Sequence, residues 1–278
     1  MKKWLSRCLM LIVFVGCLNA DPASVSAQPV LDYMQVIPEP GQPVRLQPTG
    51  AVRSIEITSI RSISSPTEIA SDNPSPFTVI CSDLTKIAVL PGETFACPEP
   101  PVLMAMVAIL PPPPIIIPLD PGRGKELVDL TREERKVLGE AGPLIEQLDI
   151  EERFKQFLLA NLYATYELYD DAISLLEKQS EKVEDDSAIL CLLGTLHLRN
   201  MAPDLAYEPF AQALHIVQDR DDTEGQAVAR YYLAKTFEAQ GQYDALFEQH
   251  AREALKLFQE LGYAGMIKTV EELLQHAR

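Results

Sequence analysis

One periodicity constrains this chain more than any other feature. A leucine followed by a small residue recurs at Leu159-Ala160, Leu193-Gly194 and Leu233-Ala234, first 34 and then 40 residues apart. Three positions beyond each small residue stand Tyr163, His197 and Phe237, and twelve beyond the first two stand Ala172 and Ala206. Each set sits in a run whose apolar residues follow helical spacing. A repeat of this length marks a supersecondary unit that cannot bury its apolar face alone and must stack on copies of itself. The small residues let two helix axes approach, and the leucines and aromatics fill the space toward the next unit. The pattern predicts helical hairpins over about 153–186, 187–222 and 227–262. A closing helix over about 264–277 carries Ile267, Val270, Leu273 and Leu274 at helical spacing.

The stretches LLANLYATYELYDDAISLL (158–176), LLGTLHLRNMAPDLAYEPFAQAL (192–214) and LAKTFEAQGQYDALFEQHAREAL (233–255) resemble the tetratricopeptide repeat, a 34-residue helix-turn-helix unit. The matching positions are Leu159, Ala160, Tyr163, Tyr169 and Ala172, then Leu193, Gly194, Ala206, Phe210, Ala213 and Leu214, then Leu233, Ala234, Phe237, Gly241 and Tyr243. The resemblance covers about residues 150–278 and implies a superhelix whose first helices line a concave groove. Its groove-facing positions are Phe157, Asn161 and Thr165 in the first unit, Cys191, Thr195 and Arg199 in the second, and Tyr231, Lys235 and Glu238 in the third. Arg199 and Lys235 would give that groove a local positive spot suited to an extended protein or peptide partner, including one ending in a carboxylate. The bland alternative is that both bases pair with neighbouring acids. Domains of this family that grip chaperone tails carry a denser set of Lys and Asn, and of these Asn161 alone is present.

The chain departs from the repeat in three places. His197 replaces an aromatic, Pro209 falls inside an expected helix, and VQDRDDTEG (217–225) adds six residues. That insertion is expected as a solvated loop with Asp222 or Thr223 capping the next helix, since Glu224 and Arg230 stand where a calcium loop needs Gly and Glu. In the third unit Ala245 and Leu246 share the place of the expected alanine. Ahead of the repeats, Thr131-Arg-Glu-Glu134 and Asp149-Ile-Glu-Glu152 have capping-box form. Gly142-Pro143 predicts two short helices or one kinked helix over 132–148.

Residues 28–110 follow a different grammar, rich in Pro, Thr, Ser and Ile. AVRSIEITSI (51–60), FTVIC (77–81) and KIAVL (86–90) read as strands, and Pro91-Gly-Glu93 as a turn. VLMAMVAIL (102–110) reads as a fully buried strand stopped by Pro111 to Pro114, and residues 111–130 read as a Pro-rich linker. Cys81 and Cys97 are expected to pair around a hairpin, with two unpaired buried thiols as the alternative. The fold class is therefore α+β and multidomain: a small β-rich module, sandwich or barrel-like, followed by an all-α superhelix. GAVRSIEI (50–57) faintly resembles the exported β-domains of FecR-like sensor proteins.

Residues 1–27 have the form of a secretory signal: Lys2, Lys3 and Arg7, an apolar core from Cys8 to Leu18, and Val25-Ser-Ala27 at the cleavage site. The alternative is a lipoprotein signal that leaves a lipid on Cys17 and ties the chain to a membrane. An exported location, periplasmic or extracellular, follows. The formal charge of −16, with 30 acids against 17 bases over residues 121–278, argues against nucleic acid and anionic lipid. No zinc, phosphate-loop, dinucleotide or nucleophile-elbow motif occurs in the sequence. The four histidines are scattered and none lies in residues 28–120. No cofactor or metal is expected. The reading is a non-catalytic exported adaptor, with an anchored structural or assembly lipoprotein, or an enzyme with its site in the β-rich half, as rivals.

Overall fold

The computed structural model describes residues 34–39, 42–48, 55–57, 60–63, 69–71, 74–97, 124–180 and 186–276. The expected signal with Cys17, the apolar run 102–110, Pro111 to Pro114 and most of the expected linker lie outside the described residues.

Among the described residues, eight short strands make two four-stranded antiparallel sheets: β1 (Met34–Ile37), β2 (Val44–Pro48), β3 (Ile55–Ile57), β4 (Arg61–Ile63), β5 (Ile69–Ser71), β6 (Phe77–Ile80), β7 (Lys86–Val89) and β8 (Thr94–Phe95). One sheet runs β4-β1-β6-β7 and the other β3-β2-β5-β8. Met34, Val36, Phe77, Val79 and Val89 of the first sheet share a buried core with Val44, Leu46, Ile57 and Phe95 of the second. The module is thus a small sandwich, with Phe77 and Phe95 meeting edge to face at 5.7 Å across the layers. Cys81 and Cys97 are bonded, as expected, but the bridge does more than close a hairpin. β6 and β7 form the hairpin within one sheet. The Leu90–Glu93 turn, with Gly92 at φ 76° and Glu93 N–H donating to the Leu90 carbonyl, then carries the chain to β8 in the other sheet. The disulfide therefore ties the two sheets together.

Among the described residues, the other half has eight α-helices: α1 (Arg132–Gln147), α2 (Glu152–Thr165), α3 (Tyr169–Ser180), α4 (Ser187–Arg199), α5 (Pro203–Asp219), α6 (Thr223–Ala239), α7 (Ala245–Leu261) and α8 (Ala264–His276). The pairs α2/α3, α4/α5 and α6/α7 are the three expected hairpins, with α8 packed against α7. No helix of the described residues is long and apolar enough to cross a membrane. Thr131 caps α1 in the expected reciprocal box with Glu134, and Pro143 is carried inside one continuous helix. Asp149 does not cap α2. Glu151 precedes that helix without a side-chain cap, and Asp149 instead pairs with Lys86 of β7, 3.6 Å away.

The hairpin turns repeat more closely than the sequence does. Each first helix ends with a residue in the left-handed region: Glu167 (φ 62°), Met201 (φ 59°) and Gly241 (φ 70°). The next N–H in each case reaches back to the aromatic position, Leu168 to Tyr163, Ala202 to His197 and Gln242 to Phe237, at 3.0, 2.9 and 2.8 Å. This is the Schellman arrangement, which satisfies the last carbonyls of a helix. Asp221-Asp222 and Gly262-Tyr263 repeat it at the ends of α5 and α7.

Two expectations are corrected here. The six extra residues do not make a loop: residues 217–219 extend α5, three residues turn, and Asp222 caps α6 by accepting from the Gly225 N–H. Lengthening helices keeps the backbone hydrogen-bonded where a loop would leave it to solvent. In the third hairpin neither Ala245 nor Leu246 packs inward, both being exposed. Phe247, Ala251, Ala254 and Phe258 form the buried face, and Asp244 caps the helix.

The two halves share one interior. Ile37, Ile60, Ile80 and Leu84 of the sandwich belong to the same buried cluster as Ala141, Ile145, Phe154, Phe157 and Leu158. Among the described residues, part of the expected linker already lies on the stack: the Lys125 N–H donates to the Glu167 carbonyl at 2.8 Å, and Leu130 is buried.

Candidate partner-binding surface

The first helices α2, α4 and α6 carry the small residues at the hairpin contacts. Ala160 and Ala234 are fully buried, and the Phe210 ring of α5 lies against the backbone of Gly194. Ala206 and Ala213 are fully buried on the opposing helix. This close approach fixes which faces of α2, α4 and α6 are turned away from their partners.

The sequence-expected groove residues fall into three groups by burial and bonding. Phe157, Thr195 and Tyr231 are buried, at 4%, 2% and 6% exposure. Thr195 donates its hydroxyl to the Cys191 carbonyl at 2.7 Å. Burial, then Glu238, push the Tyr231 phenol up to about 12, and burial, then Asp186 and Asp222, push the Cys191 thiol up to about 12. Neither is a nucleophile at neutral pH. Asn161 is half-buried and donates to the Phe157 carbonyl at 2.9 Å, while exposed Thr165 donates to the Asn161 carbonyl at 3.0 Å. The charged group comprises Arg199, Lys235 and Glu238, all half-buried. Lys235 is paired with Glu238, which also has His276 Nδ1 at 3.9 Å. The Arg199 guanidinium stands over the Tyr169 ring at 5.0 Å, a cation–π contact. One of the two expected free bases is thus locally neutralised, and the other is held by an aromatic face.

A second concavity lies where α3 and α5 flank α4, away from the expected groove residues. Its volume is about 290 Å³, and it is lined by Glu177, Leu190, Leu193, His197, Leu205, Glu208, Pro209 and Gln212. His197, read from sequence as an aromatic replacement in the core or at its rim, is buried at 5% exposure on this wall. Burial holds its imidazole below the ordinary range, with Glu177 opposing that shift. Two coincidences mark the place in the sequence: the histidine in an aromatic position, and Pro209 inside a helix. Among the described residues no group of three or more His, Cys, Asp or Glu is placed to hold a metal ion.

No family model matches the chain, and no curated protein is similar to it. Solved structures are similar to it. BtubC (BKLC) from P. vanneervenii is 22% identical at a TM-score of 0.39, over 52% of this chain and 60% of that one. A kinesin light chain-like protein of Podosopora anserina with nearly identical TPR-like repeats is 17% identical at 0.34, over 52% and 90%. YrrB, described as a TPR protein with an unusual peptide-binding site, is 23% identical at 0.30, over 52% and 76%. The helical half is a stack of helical hairpins. This chain spans less than two thirds of BtubC, and the likeness is one of fold.

Proposed function

We propose that this protein is an exported scaffold that holds a second polypeptide in the cell envelope, through tetratricopeptide-type hairpins carried beside a disulfide-tied β-sandwich. The observation that carries the reading is the regular succession of hairpins. Three hairpins with the same turn, at Glu167, Met201 and Gly241, present equivalent faces of α2, α4 and α6 in series. Stacked repeats of this kind create extended surfaces whose use is to contact another chain. Asn161, Arg199, Lys235 and Glu238 supply the polar positions along those faces; Glu238 offsets Lys235, so Arg199 carries the modest positive contribution that favours an acidic or carboxylate-ended segment. The Cys81–Cys97 bridge supports residence in an oxidising compartment, where such bonds persist.

The test is affinity capture from intact envelopes with the full chain and with an Arg199→Glu/Lys235→Glu variant. The expected result is a partner retained by the wild type and lost from the variant. Equal retention by both removes the groove from the proposal. Mass spectrometry of the mature chain tests export: a first residue of Gln28 marks cleavage of a secretory signal, and a lipid on Cys17 marks the anchored form.

A further inference from the structure

We propose that His250 is the proton-sensitive element of a latch holding α7 on α6. With the imidazole neutral the last hairpin is closed; protonation drives the ring from the interface and loosens that hairpin. The repetition of the stack places the parts. Buried Ala206, Phe210, Ala213 and Val217 of α5 correspond, 41 residues on, to buried Phe247, Ala251, Ala254 and Phe258 of α7. Leu193 of α4 corresponds, 40 residues on, to Leu233 of α6. By the same offsets Leu190, His197, Pro209 and Gln212, which line the cleft between α3 and α5, become Arg230, Phe237, His250 and Glu253 in the third hairpin. The contacts agree with that register. The His250 ring lies near-parallel to Phe237, with centroids 6.0 Å apart and planes at 20°, and Arg230 is paired with Glu253 across the two helices. Glu253 also accepts from the Gln249 amide at 3.2 Å.

This position suits a neutral imidazole and not a charged one. His250 Nδ1 is buried and has no hydrogen-bond partner among the described residues. A neutral ring can leave that nitrogen without a proton, whereas the imidazolium carries an N–H on both nitrogens and would bury a charged donor unpaired. Two charged groups act on the ring: Arg230 of α6, whose side chain is 14% exposed, repels a positive imidazole, and Glu253 of its own helix attracts it less strongly. His276 of α8, the other helix packed on α7, lies 3.9 Å from Glu238 of α6. Its protonation completes an ion pair and so acts in the opposite sense. Burial and Arg230 together outweigh Glu253 and hold His250 below the ordinary histidine value of 6.5 while the hairpin is closed. The closed hairpin therefore binds fewer protons than the open one. Closure is complete above 6.5 and weakens as the pH falls, by about tenfold per pH unit at most. The second hairpin lacks the device, with Leu190 and Pro209 in the places of Arg230 and His250.

The experiment is hydrogen exchange of the full chain at pH 7.5, 6.5 and 5.5, read by mass spectrometry and corrected for the intrinsic pH dependence of amide exchange. Exchange in α7 is expected to rise roughly three- to tenfold between pH 7.5 and 5.5, while α2, which holds no histidine, stays level. His250→Phe keeps a ring against Phe237 but cannot titrate, and is expected to abolish the rise. Arg230→Leu puts on α6 the residue found at the matching place in α4, removes the repulsion and should reduce the rise. His197→Phe, in the neighbouring hairpin, should leave it unchanged. Nuclear magnetic resonance titration of the wild-type imidazoles should show His250 titrating below 6.5. A wild type with no rise, a rise that persists in His250→Phe, a rise equal in α2 and α7, or His250 titrating at or above 6.5 each overturns the assignment.

Discussion

Replacing Gly194 by alanine tests the packing that holds the stack together. A Cβ at Gly194 would lie 2.7, 2.8 and 2.8 Å from Cζ, Cε1 and Cε2 of Phe210. Carbon atoms rest about 3.5–4.0 Å apart, so the ring must retreat by roughly 0.7–1.2 Å. It has no free direction, because Phe210 is fully buried and stacked on Tyr232 with centroids 4.9 Å apart and planes 5° from parallel. Overpacking of this kind costs ~1–3 kcal/mol, whereas removing a helical glycine contributes ~1 kcal/mol in the opposite direction. The expected outcome for Gly194→Ala is a net loss of up to about 2 kcal/mol. Urea unfolding followed by far-ultraviolet circular dichroism should show a lower midpoint at unchanged slope. Phe210→Leu opens the space, so Gly194→Ala should cost less in that background, with a coupling of at least ~0.5 kcal/mol. Stability equal to or above wild type, or the same cost in both backgrounds, would refute the reasoning.

Met201 sits at φ 59° and is 64% exposed, so Met201→Gly should relieve left-handed strain and stabilise the chain by ~1 kcal/mol, seen as a higher urea midpoint. Replacing Cys81 and Cys97 by serine opens a loop of sequence separation 16 and should destabilise the sandwich by ~3 kcal/mol, checked by the near-ultraviolet unfolding transition. Acidification should also destabilise the fold. Burial holds both His197 and His250 below the ordinary histidine value of 6.5, with Arg230 adding to the shift at His250 and Glu253 opposing it. Between the folded pKa and 6.5 the unfolded chain binds more protons, so stability rises with pH there and is lost as pH falls below 6.5. Buried Asp186, raised above 3.8, acts in the opposite sense at lower pH. Melting temperatures between pH 7.5 and 5.5 check the direction, and His197→Phe/His250→Phe should flatten that decline.

The hairpins were legible in the sequence because their signal is local. Leu-small pairs at 159, 193 and 233 and the alanines at 172 and 206 each report a contact made within one unit or with its neighbour. The turns were not legible, because Glu167 and Met201 occupy left-handed positions that no residue preference announces. The backbone there is set by the hydrogen bonds to Tyr163 and His197. Asp149 was misread as a cap for a related reason. Its capping-box spacing is real, but a long-range partner, Lys86, lies 63 residues away in the chain. The β-module was legible as strands, as a disulfide and as a sandwich or barrel, yet not in which strands share a sheet, since the turn after β7 leads either to a hairpin or to a crossing and the local residues serve both. The cleft was hidden, because it is built by three helices and marked in sequence by nothing more than an odd histidine and an odd proline.

The shared interior between the halves carries a further consequence. A stack of repeats needs its terminal faces closed, and α8 does this at one end. At the other, Ile37, Ile60, Ile80 and Leu84 of the sandwich lie in one buried cluster with α1 and α2. Removing the sandwich leaves apolar partners of α1 and α2 facing water. Each aliphatic side chain taken fully out of water contributes ~1.5–3 kcal/mol, so losing four such partners is comparable with the ~5–15 kcal/mol that stabilises a domain. A fragment spanning 124–278 is therefore expected to melt well below the full chain, to bind a hydrophobic dye and to self-associate in sedimentation. Lys86→Ala in the full chain, which removes the contact with Asp149 and leaves the apolar cluster intact, should shift the melt by no more than ~1 kcal/mol. A monomeric fragment melting at the full chain's temperature would show that the sandwich is an appendage, with the hairpins closing their own end.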